Sequence, residues 1–249
     1  MENQKIAVIG MGMWGKNIVR NFYNLNVLEY VCDLDEDSLR TVREQFPGVK
    51  TTKDFNEIIS NPEITGVAVV TPSHTHFKLV KTALEAGKNV YVEKPISTVA
   101  EEAKVLTELA DSKGLVLMVD HLLLYHPAVN RLKMLVEEGA LGEIVYAQSD
   151  RLNVNYHKND RSVMWDLAPH DVSMVAYVTG KKPLRVISAI GASSDRNNIM
   201  DITHLGIEFE GGMIAHISDS WITPQKHVNL LIRGTKATAI FDDCAPTDE

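Results

Sequence analysis

The first half of the chain alternates short apolar runs with amphipathic stretches of helical length. Five runs rich in valine and isoleucine predict strands at residues 5–10, 28–33, 66–71, 89–93 and 115–119. Helices are predicted between them, for example at residues 75–86 and 99–112, which are followed by Gly87 and Gly114. Strands joined by helices run parallel, so residues 1–120 are predicted to form an α/β domain with a parallel sheet.

The second half has a different pattern. After a predicted helix at residues 127–138, apolar and polar residues alternate over long runs. Two hairpins are predicted, at residues 205–220 with a turn at Gly211 and Gly212, and at residues 229–242, together with strands at 143–151 and 184–190. Residues 121–249 are therefore predicted to form an α+β domain with a largely antiparallel, open sheet that has one solvated face.

Composition excludes several classes of protein. The chain has 249 residues, 45% of them hydrophobic, which suffices for two packed cores. Its 33 acidic and 25 basic residues give a formal charge of −8, so nucleic acid and anionic membrane surfaces are not expected partners. No secretory signal or membrane-spanning run is found, and Cys32 and Cys244 lie far apart. We expect a cytoplasmic protein without disulfides.

A glycine-rich turn, G-M-G-M-W-G, follows the first strand. Gly10, Gly12 and Gly15 allow a tight turn and close approach of a pyrophosphate to the following helix N-terminus, beside Met13 and Trp14. Asp33 ends the second predicted strand, where a carboxylate can accept hydrogen bonds from an adenosine ribose. The pattern predicts a Rossmann domain that binds a dinucleotide. Because Asp33 would repel a 2′-phosphate and residues 34–37 contain no arginine, NAD is favoured over NADP. The alternative is that Asp33 only caps the next helix.

Two further groups follow neighbouring strands. Ligands of open parallel sheets bind outside the carboxyl ends of the strands. The residues predicted to line a cofactor there are Thr71, Pro72, His76, Glu93 and Lys94. Lys94, next to Pro95, could donate a proton or hydrogen bond to a substrate oxygen. The alternative is a solvated loop lysine bonded to Glu93.

The glycine turn, T-P-x-x-x-H at 71–76 and E-K-P at 93–95 resemble the glucose-fructose oxidoreductase and inositol dehydrogenase family. The resemblance covers residues 5 to about 242 and implies that Lys94 contacts the reacting hydroxyl and the nicotinamide. It also implies a second catalytic pair, an Asp and a His four residues apart, which Asp166 and His170 supply in W-D-L-A-P-H-D at 165–171.

His170 could take the hydroxyl proton while Asp166 contacts the substrate or orients the imidazole. Pro169 disfavours helix at Ala168, so Asp166 could lie in the preceding loop or in the helix itself. In the alternative without catalysis, Asp166 is a helix N-cap and His170 is a surface residue.

Polar and aromatic side chains suited to a sugar are found in residues 151–165, namely Arg151, Asn153, Asn155, Tyr156, His157, Lys158, Arg161 and Trp165. Their sequence context resembles a branch that includes dehydrogenases of nucleotide-linked sugars. His121 and Tyr125 could contact substrate, but His121 and His126 could equally be histidines bonded to backbone. No metal site is expected, because His74, His76, His121 and His126 share no ligand spacing.

Members of this family usually continue for several tens of residues beyond this C-terminus. Two alternatives stay open: the chain is a fragment of a longer enzyme, or it is a short variant whose missing cover comes from a partner chain. An exposed sheet face or edge favours association, so we expect a homo-oligomer that associates through the C-terminal sheet. The sequence predicts an NAD-dependent dehydrogenase acting on a CH–OH group of a sugar. Two alternatives are a non-catalytic NAD-binding sensor or scaffold, and an imine or biliverdin-type reductase.

Overall fold

The computed structural model describes residues 4–154, 162–194 and 199–246. The chain forms two compact units, Met1–Asp120 and His121–Glu249. Each unit has its own six-stranded sheet and its own hydrophobic core.

The first unit contains an entirely parallel sheet in the order β3-β2-β1-β4-β5-β6. Its strands are β1 Ile6–Ile9, β2 Leu28–Cys32, β3 Lys50–Thr52, β4 Gly66–Val69, β5 Asn89–Glu93 and β6 Leu117–Asp120. Its helices are α1 Gly15–Asn24, α2 Glu36–Gln45, α3 Phe55–Ser60, α4 His76–Glu85 and α5 Ala100–Lys113. The predicted parallel sheet is confirmed. The sequence missed β3, whose three residues are Lys-Thr-Thr and give no apolar signal.

Helices cover both faces of this sheet. Along β1, Val8 packs in one core with α1 and α2, whereas Ala7 and Ile9 pack in the other with α3, α4 and α5. This alternation follows from the two-residue period of a strand. Helix α5 ends as predicted at Gly114, whose φ of 63° lies in the left-handed region.

The second unit contains a mixed, mostly antiparallel sheet in the order β12-β11-β7-β10-β9-β8. Its strands are β7 Ile144–Val154, β8 Pro183–Ala192, β9 Ile202–Phe209, β10 Ile214–Ser220, β11 Ile222–Gly234 and β12 Thr238–Asp242. Its helices are α6 Pro127–Glu137 and α7 Val163–Thr179. Both predicted hairpins are confirmed. The central pair β7 and β10 is parallel, which the intervening α7, β8 and β9 make possible.

One face of this sheet packs against the helices. Ala147, Ala215, Ile217 and Leu230 are buried with residues of α6 and α7. The edge strand β8 is exposed along its whole length. Within the described ranges, no helix is long and apolar enough to cross a membrane.

The bounds of helix α7 decide between the two positions that the sequence allowed for Asp166, in a preceding loop or within the helix. It begins at Val163 and continues through Pro169, so the placement of Asp166 in a preceding loop is wrong. Pro169 cannot donate a backbone hydrogen bond, which weakens a helix locally. Burial of Ala168, Met174 and Val175 in the core of this unit offsets that loss.

Candidate active site

The glycine turn is shaped by steric constraints. Gly10 has a φ of +101°, and a Cβ there would lie 2.6 Å from the carbonyl oxygen of Val70. A Cβ on Gly15 would overlap the carbonyl oxygen of Gly10. A Cβ on Gly12, by contrast, would meet no atom within 4 Å. Gly10 and Gly15 therefore pack helix α1 onto the sheet, and Gly12 leaves open space at the turn.

The N-terminus of α1 is suited to an anion. Its N-cap residue, Trp14, makes no side-chain capping bond, and the first turn has no acidic residue. Helices α2 and α3 are instead capped by the carboxylates of Asp35 and Asp54. Met13 and Trp14 are 86% and 44% exposed beside this N-terminus. The uncapped amide groups and the open space at Gly12 fit the pyrophosphate of a dinucleotide.

Asp33 follows β2 and links it to the glycine turn. Its Oδ2 accepts a hydrogen bond from the Met11 amide at 2.5 Å, and its Oδ1 accepts one from the Asp35 amide at 2.8 Å. The alternative that Asp33 caps the next helix is wrong, because Asp35 is that cap and accepts from the Ser38 amide at 2.9 Å. A carboxylate oxygen can accept more than one hydrogen bond, so Asp33 can still accept from a ribose.

His76 joins the loops that follow β4 and β5. The side chain is 1% exposed, with Nδ1 2.8 Å from the Pro95 carbonyl oxygen and Nε2 2.8 Å from the Thr71 carbonyl oxygen. The hydroxyl of Thr71 lies 2.6 Å from that of Thr75. His76 thus supports the loop that carries Lys94. Direct contact of Thr71, Pro72 or His76 with a cofactor stays a prediction.

Lys94 lies beside a pair of buried acids. Glu93 and Asp120 are register partners at the ends of β5 and β6, and Asp120 is 6% exposed. The backbone amide of Lys94 donates to Glu93 Oε2 at 3.2 Å. Burial and a hydrogen bond with Asp120 raise the pKa of Glu93 to about 8. With its pKa raised to about 8, Glu93 holds its proton at neutral pH beside the half-buried Lys94.

Asp166 and His170 lie within α7, one turn apart. A spacing of four places both side chains on the same face of the helix. Asp166 is 4% exposed and His170 is half-buried. The alternative that Asp166 is the N-cap is wrong, because the helix is preceded by Ser162 at that position.

The other residues predicted to contact the substrate lie at several places in the second unit. Arg151 forms a bidentate ion pair with the buried Asp171. Asn153 is half-buried on β7, and Trp165 is 36% exposed on α7. Residues 155–161, which include Asn155, Tyr156, His157, Lys158 and Arg161, lie outside the described residues. Substrate contact by these side chains stays a prediction.

His121 and His126 follow β6 and lie in different surroundings. His126 is the N-cap of α6, and its Nδ1 accepts from the Ala128 amide at 3.2 Å, as the backbone-bonded alternative predicted. His121 is half-buried, whereas Tyr125 is 70% exposed. Among the described side chains, no group of three or more His, Cys, Asp or Glu could hold a metal ion.

Sequence reasoning missed three buried acids near the predicted residues, namely Asp120, Asp171 and Asp219. The position of Asp120 opposite Glu93 could have been found from the parallel register of their strands. Asp219 could not, because its proximity to Asp171 depends on the packing of α7 against β10.

Comparison with known proteins adds relatives across nearly the whole chain. It is 26% identical to the UDP-N-acetylglucosamine 3-dehydrogenase of Acidithiobacillus ferrooxidans, over 97% of this chain and 75% of the relative. It is 24% identical to the scyllo-inositol 2-dehydrogenase (NADP(+)) IolW of Bacillus subtilis, over 95% of this chain and 70% of the relative.

A similar solved structure is GenD2 from gentamicin A biosynthesis in complex with NAD. It superposes with a TM-score of 0.90 at 25% identity, over 97% of this chain and 73% of that chain. Two family models also match, an oxidoreductase family with an NAD-binding Rossmann fold at residues 4–121 and the GFO/IDH/MocA C-terminal domain at residues 129–240. The chain therefore belongs to the GFO/IDH/MocA family of oxidoreductases, the family that its glycine turn and E-K-P motif resemble.

Proposed function

We propose that the protein is an NAD-dependent dehydrogenase that oxidises a secondary alcohol of a sugar. One observation carries the proposal: the chain has both Lys94 at the end of β5 and the Asp166 and His170 pair on one face of α7. A dinucleotide-binding unit alone needs none of these three side chains. Together they supply a cation for a substrate oxygen and an acceptor for its proton.

When bound, NAD would supply the hydride acceptor for the carbinol carbon, and the open turn at Gly12, the N-terminus of α1 and Asp33 would hold it. The neutral imidazole of His170 takes the hydroxyl proton as the carbon–oxygen double bond forms, giving a ketone and an imidazolium ion. Lys94 donates a hydrogen bond to the same oxygen, and Asp166 holds the imidazole or a neighbouring hydroxyl. Glu93, whose raised pKa keeps it protonated at neutral pH, adds no negative charge beside Lys94.

We expect NAD to bind at least about tenfold more tightly than NADP, a difference of about 1.4 kcal/mol. The carboxylate of Asp33 would accept ribose hydroxyls and repel a 2′-phosphate. Arg43 of α2 and Lys53 after β3 both pair with Glu36, and Arg40 of α2 pairs with Asp37. Calorimetric titration of both cofactors measures the preference.

Asp33→Ser is the informative variant for this preference. Serine keeps an acceptor for a backbone amide but removes the charge, so the ratio of the two affinities should approach one. Equal affinities in the unaltered protein would contradict the assignment. The measurement is needed because one relative is named as NADP(+)-dependent.

For the substrate, we propose a sugar linked to a nucleotide or carrying a carboxylate, such as a uronic acid. The similarity to a UDP-N-acetylglucosamine 3-dehydrogenase over 97% of this chain supports this class. The test offers purified protein and NAD a panel of free sugars, inositols, uronic acids and nucleotide sugars, and follows absorbance of reduced nicotinamide. Turnover of inositols alone would refute the nucleotide-sugar assignment but keep the dehydrogenase.

A non-catalytic NAD-binding sensor and an imine or biliverdin-type reductase remain the competing functions. A sensor would bind NAD yet turn over no member of the panel. A reductase would consume NADH with an imine or a tetrapyrrole and would leave alcohols unchanged. The Asp166 and His170 pair favours the dehydrogenase, because oxidation of an alcohol releases a proton that a base must accept.

We also propose that the protein forms a homo-oligomer through its C-terminal sheet. The edge strand β8 exposes Leu184, Val186, Ile187 and Ile190, each between 51% and 66%. An exposed apolar edge is a ready site for association. Sedimentation measures the mass, and Ile190→Lys, which adds charge to this edge, should shift the protein toward monomer. A monomeric unaltered protein would contradict the proposal.

A further inference from the structure

The second unit contains a group of charged side chains that are almost completely buried. Asp171 of α7 and Asp219 of β10 have no exposed surface, and the side chain of Arg151 of β7 is 14% exposed. Burial of charges costs free energy unless each is paired and hydrogen-bonded. The way in which these charges are balanced therefore constrains the protonation of each group.

Arg151 and Asp171 balance one another. Asp171 Oδ1 accepts from the Ser149 hydroxyl at 2.6 Å and from Arg151 Nη2 at 3.1 Å, and its Oδ2 accepts from Arg151 Nε at 3.1 Å. This fork of two hydrogen bonds is the geometry in which a guanidinium binds a carboxylate most strongly. The pair uses one positive and one negative charge, so this guanidinium leaves no net positive charge for a second carboxylate.

Asp219 is that second carboxyl group. It is the register partner of Arg151 across the parallel pair β10 and β7. Among the described residues, no donor reaches either of its carboxyl oxygens. The charge of Asp171 acts on Asp219, and as a carboxylate Asp171 can only accept hydrogen bonds. A hydrogen bond between the two acids therefore needs a proton on Asp219.

The surrounding charges also favour a proton on Asp219. Burial and the negative charge of Asp171 raise the pKa of Asp219 to about 9, with a further contribution from Asp166 on α7. The positive charge of Arg151 lowers the pKa of Asp219. The negative charge of Asp243, which follows β12, raises the pKa of Arg151. On the β9 side, the register partner of Asp219 is the uncharged Thr203.

We propose that Asp219, as a neutral carboxylic acid, is a positioning residue for His170. The proposal rests on the function proposed above, in which His170 is the base. Asp171 follows His170 directly in α7, so the bonds from Asp219, Arg151 and Ser149 hold this turn of the helix against β10 and β7. Loss of the proton would set the charge of Asp219 against that of Asp171 and release the turn that carries His170.

Two substitutions at Asp219 distinguish its role as a hydrogen-bond donor from the effect of its charge. Asp219→Ala removes the donor and should lower kcat at least about tenfold, while KM for NAD stays within about threefold because Asp219 lies outside the dinucleotide-binding unit. Asp219→Asn keeps an N–H donor toward Asp171 and should recover most of that loss. Activity of the unaltered enzyme should also fall above about pH 9, and this fall should be absent in Asp219→Asn.

A stability measurement tests the same proton without any turnover. The pKa of Asp219 is higher in the folded protein than its ordinary value of 3.8, so the folded state binds more protons between these values. Its contribution to stability is then lost as pH rises through that window. The melting temperature of Asp219→Asn relative to the unaltered protein should therefore increase from about pH 5 to about pH 9.

Asp150→Asn is the matched control, since Asp150 is also buried and precedes Arg151 on β7. It should leave the kcat and the pH dependence of melting unchanged. The proposal is overturned if Asp219→Asn is as inactive as Asp219→Ala, or if its melting temperature follows the unaltered protein at every pH. It is also overturned if Asp219→Ala and Asp219→Asn both have lower melting temperatures than the unaltered protein but keep its kcat and the same dependence of kcat on pH.

The two proposals can fail separately. A protein that binds NAD but oxidises no sugar would refute the dehydrogenase, whereas the pH dependence of melting would still show whether Asp219 holds a proton. A dehydrogenase whose rate is unaffected by Asp219→Ala would refute the positioning role alone.

Discussion

Lys94→Ala is expected to lower turnover by at least about a hundredfold, the usual loss when a positioned acid or base is removed. Affinity for NAD should remain within about threefold, because the amine acts on the reacting oxygen rather than on the adenosine half of the cofactor. Steady-state rates and calorimetric titration of NAD on the same preparation measure the two effects.

Lys78→Ala is the control for this variant, because Lys78 is an exposed lysine on α4 of the same unit. It should keep normal turnover. Lys94→Arg keeps the charge but changes its geometry, and should recover little activity if a hydrogen bond to one oxygen is required. Near-normal turnover by Lys94→Ala would remove the lysine from the mechanism.

His170→Asn should lower the rate by orders of magnitude and remove a limb from its pH profile. Only the neutral imidazole can accept the hydroxyl proton, so the oxidation rate of the unaltered enzyme should rise with pH as this imidazole loses its proton. Asparagine keeps a hydrogen bond but cannot accept the proton. The measurement is kcat/KM against pH for both proteins on one substrate.

A second group could produce a similar limb. Glu93, whose pKa is raised to about 8 by burial and by Asp120, titrates close to this range beside Lys94. Glu93→Gln removes that titration and leaves His170 in place. If the limb persists in Glu93→Gln and disappears in His170→Asn, the proton belongs to His170. The opposite result would assign it to the pair of acids.

The sequence predicted the elements whose patterns are local. Strands β1 and β4 have continuous apolar runs because both faces of a parallel sheet are buried, whereas the C-terminal hairpins alternate because one face is solvated. It missed β3, which is short and polar, and the long N-terminal part of β11, where Thr223 to Lys226 interrupt the alternation. Strand pairing there depends on neighbours rather than on composition.

The candidate site was predicted in part for the same reason. Glycine at positions 10, 12 and 15, E-K-P and the spacing of Asp166 and His170 are local signals that the sequence displays. The contacts that support them join distant residues, such as His76 with Pro95 and Arg151 with Asp171. Pro169 also misled the prediction in one of its alternatives, since packing along the whole of α7 outweighs the one helical hydrogen bond that proline removes.

The central claim is that hydride leaves a carbon of the sugar and is received by NAD. For a substrate identified in the panel, deuterium placed on the reacting carbon can be followed by mass spectrometry of the reduced nicotinamide. We expect one deuterium in the nicotinamide and none released to water, with a slowed rate for the labelled sugar. Deuterium that appears in water, or a substrate altered without net reduction of NAD, would contradict the assignment of the protein as a dehydrogenase.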